Sequence, residues 1–351
     1  MQSTASELLL AWYDHVKRDL PWRGTRDPYR IWISEIMLQQ TRVETVKTYY
    51  QNFLTLFPTV SALALAPQEQ VLKVWEGLGY YSRARNLQKA AQMIMELHGG
   101  QFPKGYAEIE KLSGIGPYTA GAIASIAFET RVPAIDGNVY RVASRFFGVR
   151  EDIGSPSAQR KLRQLVFQSL PQERIGDYNQ ALMELGATHC SPAAPACDLC
   201  PWNALCDACM EGDAASLPIH EKKRPPKRID VAVCLLTYEK QVLVMKRSLR
   251  MLNGLFVFDL LEDETSPARA QEQLREQGFD CHFAKDLGTA RHVFTHRVWE
   301  MRLFHFTLQT PPAQSSLTAL QAHMANADEL TALPMPTAVK VAREQALQLI
   351  G

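Results

Sequence analysis

The chain has 351 residues, of which 46% are hydrophobic and 21% charged, and its formal net charge is +1 at pH 7. This length exceeds the usual limit for one hydrophobic core, so two domains are expected. No apolar run approaches the ~20 residues of a membrane span, and the near-neutral charge excludes nucleic-acid binding through a global positive field. The first apolar run is broken by Asp14, which argues against a signal peptide and for a cytoplasmic protein.

Residues 5–188 read as one helix after another. Apolar residues recur with the 3.6-residue period of a helix, interrupted by short Gly, Pro and Asp breaks, in the segments 31–58, 69–98, 117–129 and 158–186. We therefore predict a helical domain over residues 1–210.

Glu35 interrupts an apolar helical segment, Ile-Trp-Ile-Ser-Glu-Ile-Met-Leu. On a buried face an unpaired carboxylate is costly, and burial would raise its pKa enough for it to carry a proton at neutral pH. The alternative is an exposed glutamate whose apolar neighbours turn inward. A buried Glu35 would be suited to general acid catalysis.

A glycine-rich turn and an isolated aspartate follow in the chain. Gly114 and Gly116 allow a tight turn whose backbone N–H groups could hold a DNA phosphate at a helix N-terminus, although the turn could also simply join two helices. Asp136 follows an apolar stretch and could cap a helix over 138–146, line a pocket, or do both. One raised-pKa acid and one ionised carboxylate are the apparatus that cleaves a glycosidic bond.

Four cysteines in the pattern C-x6-C-x2-C-x5-C end the helical region: Cys190, Cys197, Cys200 and Cys206. In a reducing compartment such spacing indicates a metal site rather than disulfides. Thiolates suit an iron–sulfur cluster or zinc, and free buried thiols are the remaining alternative. Cys209, Cys234 and Cys281 have no partners at ligand spacing and are expected to be ordinary thiols.

The composition changes after the cysteines. Residues 211–228 are rich in proline and charge and are predicted to be a linker. Residues 229–351 are predicted to form an α+β domain with strands at 231–238, 241–246, 255–259 and 299–307 and a helix at 267–277.

Together, the cysteine spacing, the segment LSGIGPYTA (112–120) and the segment VPAIDGNVYR (132–141) resemble the helix-hairpin-helix DNA glycosylases of the endonuclease III and MutY group. The segments 32–46 and 75–87 resemble the branch that removes adenine opposite 8-oxoguanine. The resemblance covers most of residues 1–210 and continues more weakly to the C-terminus. It implies a mostly helical glycosylase domain with a [4Fe–4S] cluster loop at 190–206, bound by the four cysteines, and a Nudix-like domain at 229–351 that recognises 8-oxoguanine.

The resemblance also implies roles for single residues. Glu35 would protonate adenine and later activate water, while Asp136 would stabilise the sugar cation or form a transient covalent adduct. Asn138 would orient these carboxylates. Tyr118 stands where bifunctional relatives have a lysine, so the chain would release the base without efficient strand cleavage. Without the resemblance, Tyr118 would be read as a core aromatic.

Further positions match those that contact substrate in this family. Gly114 and Gly116 would bind the DNA backbone, and the flipped adenine or the 8-oxoguanine would be contacted by Trp22, Arg23, Gln40, Thr41, Leu78, Tyr80, Gln180, Phe294, Thr295 and His296. Thr295 replaces the serine usual in that loop and keeps its hydroxyl. The carboxylates that bind metal in hydrolytic Nudix proteins are missing around 273–278, so pyrophosphohydrolase activity is not expected.

The expected partner is double-stranded DNA containing A:8-oxoguanine or A:G mispairs. The protein is expected to be a monomer in the bacterial cytoplasm, associated with the nucleoid and not with a membrane. Two other functions remain open: a bifunctional pyrimidine-type glycosylase/lyase, and a non-enzymatic iron–sulfur protein that binds DNA damage.

Overall fold

The computed structural model describes residues 2–220, 225–249 and 251–351. The chain divides into two compact units: Met1–Leu65 with Asn86–Lys222, here called the helical unit, and Ala66–Arg85 with Lys223–Gly351, here called the sheet unit. The division into residues 1–210, 211–228 and 229–351 stays a prediction, and residues 221–224 of the expected linker lie outside the described part. None of the described helices is long and apolar enough to cross a membrane.

The first unit consists of helices joined by short loops, as predicted. Its helices are α1 (Gln2–Val16), α2 (Pro28–Leu38), α3 (Val43–Leu56), α4 (Val60–Leu65), α7 (Tyr106–Glu110), α8 (Pro117–Phe128), α9 (Gly137–Phe146), α10 (Pro156–Ser169), α11 (Ile175–Thr188) and α12 (Asp207–Met210). Helix α6 (Ser82–His98) begins in the sheet unit and continues into the helical unit. The predicted segment 31–58 is two helices, because residues 39–42 leave the helical conformation and Gln40 has φ +57°.

Two of these helices are buried on nearly all sides. From Ile31 to Met37 every residue of α2 is buried, and α8 is buried from Thr119 to Ser125. Gly121 lets α8 pack closely, because a Cβ there would lie 2.4 Å from the carbonyl oxygen of Pro133. The carboxyl group of Glu35 on α2 is therefore held in a largely apolar interior.

The second unit contains a mixed sheet with helices on both faces, which confirms the predicted α+β character. Its elements are α5 (Gln68–Val74), β1 (Lys227–Tyr238), β2 (Gln241–Lys246), β3 (Phe256–Val257), β4 (Asp259–Glu262), α13 (Pro267–Glu276), β5 (Cys281–Val293), β6 (Arg297–Leu308), α14 (Gln314–Ala319), β7 (Ala322–Ala325), α15 (Ala327–Ala332) and α16 (Lys340–Ile350). The strand predicted at 255–259 is wrong in detail, because the chain leaves the sheet at Phe258 between β3 and β4.

Strand β1 lies in the centre of this sheet. The strand order is β3-β2-β1-β6-β5, with β4 also paired to β1 and β7 to β2; β1 and β6 are parallel. Alternate side chains of a strand point to opposite faces. On one face of β1, Val233 and the residues two positions before and after it pack with Trp299 and α16. On the other face, Cys234 and the residues two positions before and after it pack with Leu274 of α13. Both faces of β1 are thus covered, which explains its unbroken apolar sequence.

Candidate active site

Glu35 is buried in the interior of the helical unit, as predicted from its apolar helix. Its residue exposure is only 6%. Burial raises its pKa from 4.5 to about 7; a hydrogen bond from Tyr118 opposes this rise, the charge of Asp136 adds to it, and the charge of Arg23 opposes it. At neutral pH Glu35 therefore exists in comparable amounts as acid and carboxylate.

The hydroxyl of Tyr118 donates a short hydrogen bond to Oε2 of Glu35. Tyr118 lies in the first turn of α8, which begins here because Gly116 caps it in an extended conformation and Pro117 occupies the first helical position. Sδ of Met183 also lies 3.6 Å from the hydroxyl. Burial, together with the charges of Glu35 and Asp136, holds the pKa of Tyr118 well above its usual value, so the hydroxyl keeps its proton.

Asp136 caps helix α9, which confirms the capping expectation, with the helix beginning at Gly137. Its Oδ1 accepts from the backbone N–H of Val139 at 2.7 Å, and its Oδ2 accepts from Nδ2 of Asn138 at 3.1 Å. Burial raises the pKa of Asp136, and these donors oppose the rise because they favour the ionised carboxylate. Glu35, Tyr118, Asp136 and Asn138 thus meet in one site, although they lie on three helices.

The glycine turn joins α7 to α8. Gly114 has φ +74°, and a Cβ there would lie 2.5 Å from Cβ of Asn86, so both its backbone conformation and the space around it require glycine. Gly116, by contrast, has an ordinary negative φ and open space around its Cα. The turn leads directly into the first turn of α8, where Tyr118 contacts Glu35.

Arg23 belongs to an ion-pair network with Glu184 of α11. Nε of Arg18 donates to Oε1 of Glu184 at 2.6 Å, and Nη2 of Arg23 donates to Oε2. Burial raises the pKa of Glu184, but the hydrogen bonds from Arg18 and Arg23 outweigh it and bring the pKa down to about 2. Arg23 is therefore a fixed cation whose charge acts on Glu35.

The other predicted contact residues of the helical unit lie on separate segments. Trp22 is buried against Tyr50, with ring centroids 5.5 Å apart, and Gln180 is half-buried on α11. Gln40 is exposed and has φ +57°, two residues after the end of α2, and Thr41 follows it. Gln40 and Thr41 therefore lie at the end of the helix that carries Glu35.

The remaining predicted residues lie in the sheet unit. The hydroxyl of Tyr80 and Oγ1 of Thr295 are 2.8 Å apart, which joins the loop after α5 to the turn between β5 and β6. Phe294 stacks edge-on against Trp299 at 5.0 Å, His296 is exposed, and Leu78 is buried. These two loops line a surface cavity of about 1100 Å³.

The four predicted metal ligands surround one cavity in the helical unit. This cavity is lined by all four together with Cys209, which lies on α12 just after Cys206. The expectation that Cys209 is an ordinary thiol and not a ligand stays a prediction. Burial raises the pKa of Cys200 to about 12 and that of Cys206 to about 11, with the neighbouring thiols adding to both shifts.

The donor set fits an iron–sulfur cluster. Thiols so close together do not ionise together unless a cation binds them, and the lining is otherwise mainly apolar. The fully buried guanidinium of Arg145 donates to Sγ of Cys190 at 3.2 Å. In residues 2–220, 225–249 and 251–351, no three His, Cys, Asp or Glu side chains are arranged to hold a single metal ion.

Arg141 and Arg145, on one face of α9, were missed by the sequence analysis. Arg141 donates to Oδ1 of Asn138 at 2.9 Å and to the carbonyl of Cys190 at 2.8 Å, so it connects the Asp136 end of the helix to the cysteine loop. Their i, i+4 spacing was the available signal. Glu184 and Arg18 were also missed, since neither position stands out in the sequence.

Two family models match the chain. Residues 33–168 match the HhH-GPD superfamily of base excision DNA repair proteins, and residues 231–345 match the NUDIX domain. Among solved structures, the chain is similar to a thermostable thymine-DNA glycosylase, with a TM-score of 0.55 and 29% identity over 60% of this chain and 97% of that chain. A non-covalent endonuclease III–DNA complex matches with a TM-score of 0.51 and 22% identity over 60% and 98%, which supports the fold alone.

Curated relatives match both parts of the chain. The adenine DNA glycosylase of Homo sapiens is 34% identical over 90% of this chain and 70% of its own length, and that of Mus musculus is 33% identical over 88% and 71%. The adenine DNA glycosylase of Buchnera aphidicola subsp. Schizaphis graminum is 36% identical over 72% and 74%. The extent of these matches shows that the chain belongs to the adenine DNA glycosylase family and is a DNA glycosylase of base excision repair.

Proposed function

We propose that this glycosylase hydrolyses the N-glycosidic bond of adenine mispaired with 8-oxoguanine or guanine in double-stranded DNA. The names of its relatives support adenine as the base. The observation that carries the mechanism is the buried pair of carboxyl groups, Glu35 and Asp136: burial raises the pKa of Glu35 to about 7, and at Asp136, where burial also raises the pKa, hydrogen-bond donors oppose the rise. A base in a duplex must be flipped out before such a site can reach it.

Glu35 is the general acid and then the general base. With a pKa of about 7 it holds a proton in a large fraction of molecules at neutral pH, and it can deliver that proton to the departing adenine. A neutral base is the better leaving group, so this transfer lowers the barrier to breaking the bond. The resulting carboxylate then takes a proton from the attacking water, which restores the acid.

Asp136 stabilises the positive charge that develops on the sugar. The N–H of Val139 and the amide of Asn138 favour its ionised form and fix its orientation. A carboxylate fixed in this way can stabilise an oxocarbenium-like transition state or form a short-lived covalent bond to the sugar. Asn138 is a positioning residue in this account, itself held by Arg141.

Tyr118 supports a monofunctional reaction. A phenol cannot form the imine through which a lysine cleaves the DNA strand, and its hydroxyl is already engaged by Glu35. Trp22, Arg23 and Gln180 would form the adenine pocket, and Gln40 with Thr41 would contact the opened duplex. Gly114 and Gly116 would bind phosphate through the backbone of the turn.

The two loops of the sheet unit would recognise 8-oxoguanine. Tyr80 is 48% exposed, so its ring can stack on a base, and its hydroxyl is held by Thr295. The hydroxyl of Thr295 would also form a hydrogen bond to the oxidised base. Phe294, His296 and Leu78 would line the rest of this binding surface. We propose that these residues give the preference for 8-oxoguanine over guanine.

The cysteine cavity would hold a [4Fe–4S] cluster through Cys190, Cys197, Cys200 and Cys206. When bound, the cluster would supply a rigid link between the thiolates. The chain's own contribution is to fix the loop 190–206 against α9 through Arg141 and Arg145. We also propose a monomeric enzyme of the cytoplasm.

The test is a single-turnover reaction with duplex DNA containing adenine opposite 8-oxoguanine. Release of free adenine, followed by strand breakage only after alkali, is expected. Strand cleavage that borohydride traps as a covalent adduct would favour the bifunctional alternative. Tight binding without adenine release would favour a non-enzymatic role of these residues.

A further inference from the structure

Cys209 is a fifth cysteine of the cavity that the four predicted ligands surround. It lies on α12, three residues after Cys206, and its backbone N–H donates to the carbonyl of Cys206 at 3.1 Å. Cys206 immediately precedes this helix, and both cysteines line the same cavity. Cys209 is half-buried in the wall of the cavity.

Cys209 and Cys197 both line this cavity. Asn203 ties them together from one side, because its Nδ2 donates to the carbonyl of Cys197 at 2.9 Å and lies 3.8 Å from Sγ of Cys209.

This arrangement differs from that of a thiol that only fills space. A packing cysteine needs apolar neighbours, whereas Cys209 has the same donor atom as the ligands, lines the same cavity, and is linked to Cys197 through the amide of Asn203. Exchanging one sulfur for the other requires a movement on the scale of a side-chain rotation rather than a rearrangement of the fold.

We propose that Cys209 is an alternate ligand that can take the place of Cys197 in binding the iron–sulfur cluster. The inference rests on the proposed cluster. The exchange is a ligand substitution without electron transfer: the Cys209 thiol loses its proton to water as its sulfur binds iron, and the released Cys197 thiolate takes up a proton. The cavity thus has five thiols for four positions.

The experiment compares full-length variants purified without oxygen: Cys197→Ala, Cys209→Ala, Cys197→Ala/Cys209→Ala and, as the matched control, Cys200→Ala. Alanine is used because it offers iron no ligand. Iron and acid-labile sulfide per chain and the visible absorbance are measured, with circular dichroism to check folding. Cys209→Ala and Cys197→Ala are expected to keep most of the wild-type iron, whereas the double variant and Cys200→Ala lose most of it.

Equal loss of iron in Cys197→Ala and in the double variant would overturn the proposal, and so would retention in Cys200→Ala. A wild-type chain that itself contains no iron or sulfide would instead contradict the proposed cluster. The two failures are therefore distinguishable.

A second measurement avoids variants that lack a primary ligand. Loss of iron to an excess of chelator is followed in the wild type, in Cys209→Ala and in Cys281→Ala, a control in the sheet unit. If Cys209 captures the cluster when Cys197 detaches, Cys209→Ala loses iron severalfold faster than the other two. Identical rates in all three proteins would count against the proposal.

Discussion

Replacing Tyr118 by phenylalanine tests the coupling at the centre of the site. The substitution keeps the ring of Tyr118 in the first turn of α8 and removes only the O–H that donates to Glu35. This hydrogen bond opposes the burial that raises the pKa of Glu35 to about 7. Without the bond, the carboxylate form of Glu35 is less stable, so the pKa rises further.

The size of the effect follows from the strength of the lost bond. A hydrogen bond to a charged group contributes roughly 1.5–3 kcal/mol, but a neutral carboxyl group also accepts hydrogen bonds, so only part of this difference is lost. Because one pKa unit corresponds to about 1.4 kcal/mol, the pKa of Glu35 should rise by about one unit. The proton on Glu35 would then be kept to a higher pH.

The assay is the single-turnover rate of adenine release as a function of pH. Since Glu35 must be protonated to act as the acid, the rate falls above its pKa, and this basic limb should move upward by about one unit in Tyr118→Phe. The matched control is Tyr178→Phe, which removes a buried hydroxyl bonded to Ser169 and should leave the limb in place. A basic limb at the same pH in Tyr118→Phe and the wild type would refute the reasoning.

Three further predictions concern single side chains. Glu35→Gln should bind duplex DNA containing A:8-oxoguanine but release adenine about 100- to 10,000-fold more slowly, because an amide cannot deliver the proton; near-normal release in a single-turnover assay would reject the assignment. Thr295→Ala should lose a hydrogen bond of about 1 kcal/mol and hence about fivefold of the preference for 8-oxoguanine over guanine, whereas Thr295→Ser should keep it; equal preference ratios in the two variants would contradict the role of the hydroxyl. Burial raises the pKa of Asp259 from 3.8 to about 6, so its protonated form stabilises the fold fully below pH 4 and this contribution is lost as the pH rises through 6. Asp259→Asn should therefore raise the free energy of unfolding at pH 7.5 by up to about 3 kcal/mol and have little effect at low pH, as urea titrations would measure; a destabilised variant at pH 7.5 would be the contrary result.

The burial of Glu35 and the cap at Asp136 were predictable from sequence because both depend on local pattern. An acidic residue inside an apolar helical stretch is expected to be buried together with its neighbours. An Asp before Gly-Asn at the end of an apolar run is a common helix start. The tight turn at Gly114 was predictable for the same reason, because two glycines two positions apart are typical of such a turn, and its φ of +74° agrees.

The long-range partners were not predictable. Glu184 and Arg18 lie 166 positions apart, and each alone resembles a surface residue of an amphipathic helix. Cys209 was set aside because its spacing matches no ligand pattern, although a short helix brings it to the cavity. Strand β5 was not predicted because most of its residues are exposed, so its sequence lacks the apolar alternation of a half-buried strand.

The assignment of residues 66–85 to the sheet unit depends on tertiary contacts. Nη1 of Arg343 donates to Oε1 of Glu76 at 2.6 Å, and Nζ of Lys73 donates to the carbonyl of Thr331 at 2.8 Å. These partners come from α15 and α16, more than 250 positions away. The helical period over 69–98 correctly predicted α5 and α6 but not the non-helical residues 75–81 between them, and it could not say which core the segment joins.

The most direct test of the account is a single-turnover reaction of the wild-type chain and Glu35→Gln on one duplex containing adenine opposite 8-oxoguanine. Free adenine and an alkali-labile strand are expected with the wild type, and the bound but intact duplex with Glu35→Gln. A wild-type chain that releases no adenine, or a Glu35→Gln variant that releases it at the wild-type rate, would contradict the central claim that Glu35 is the acid of an adenine glycosylase.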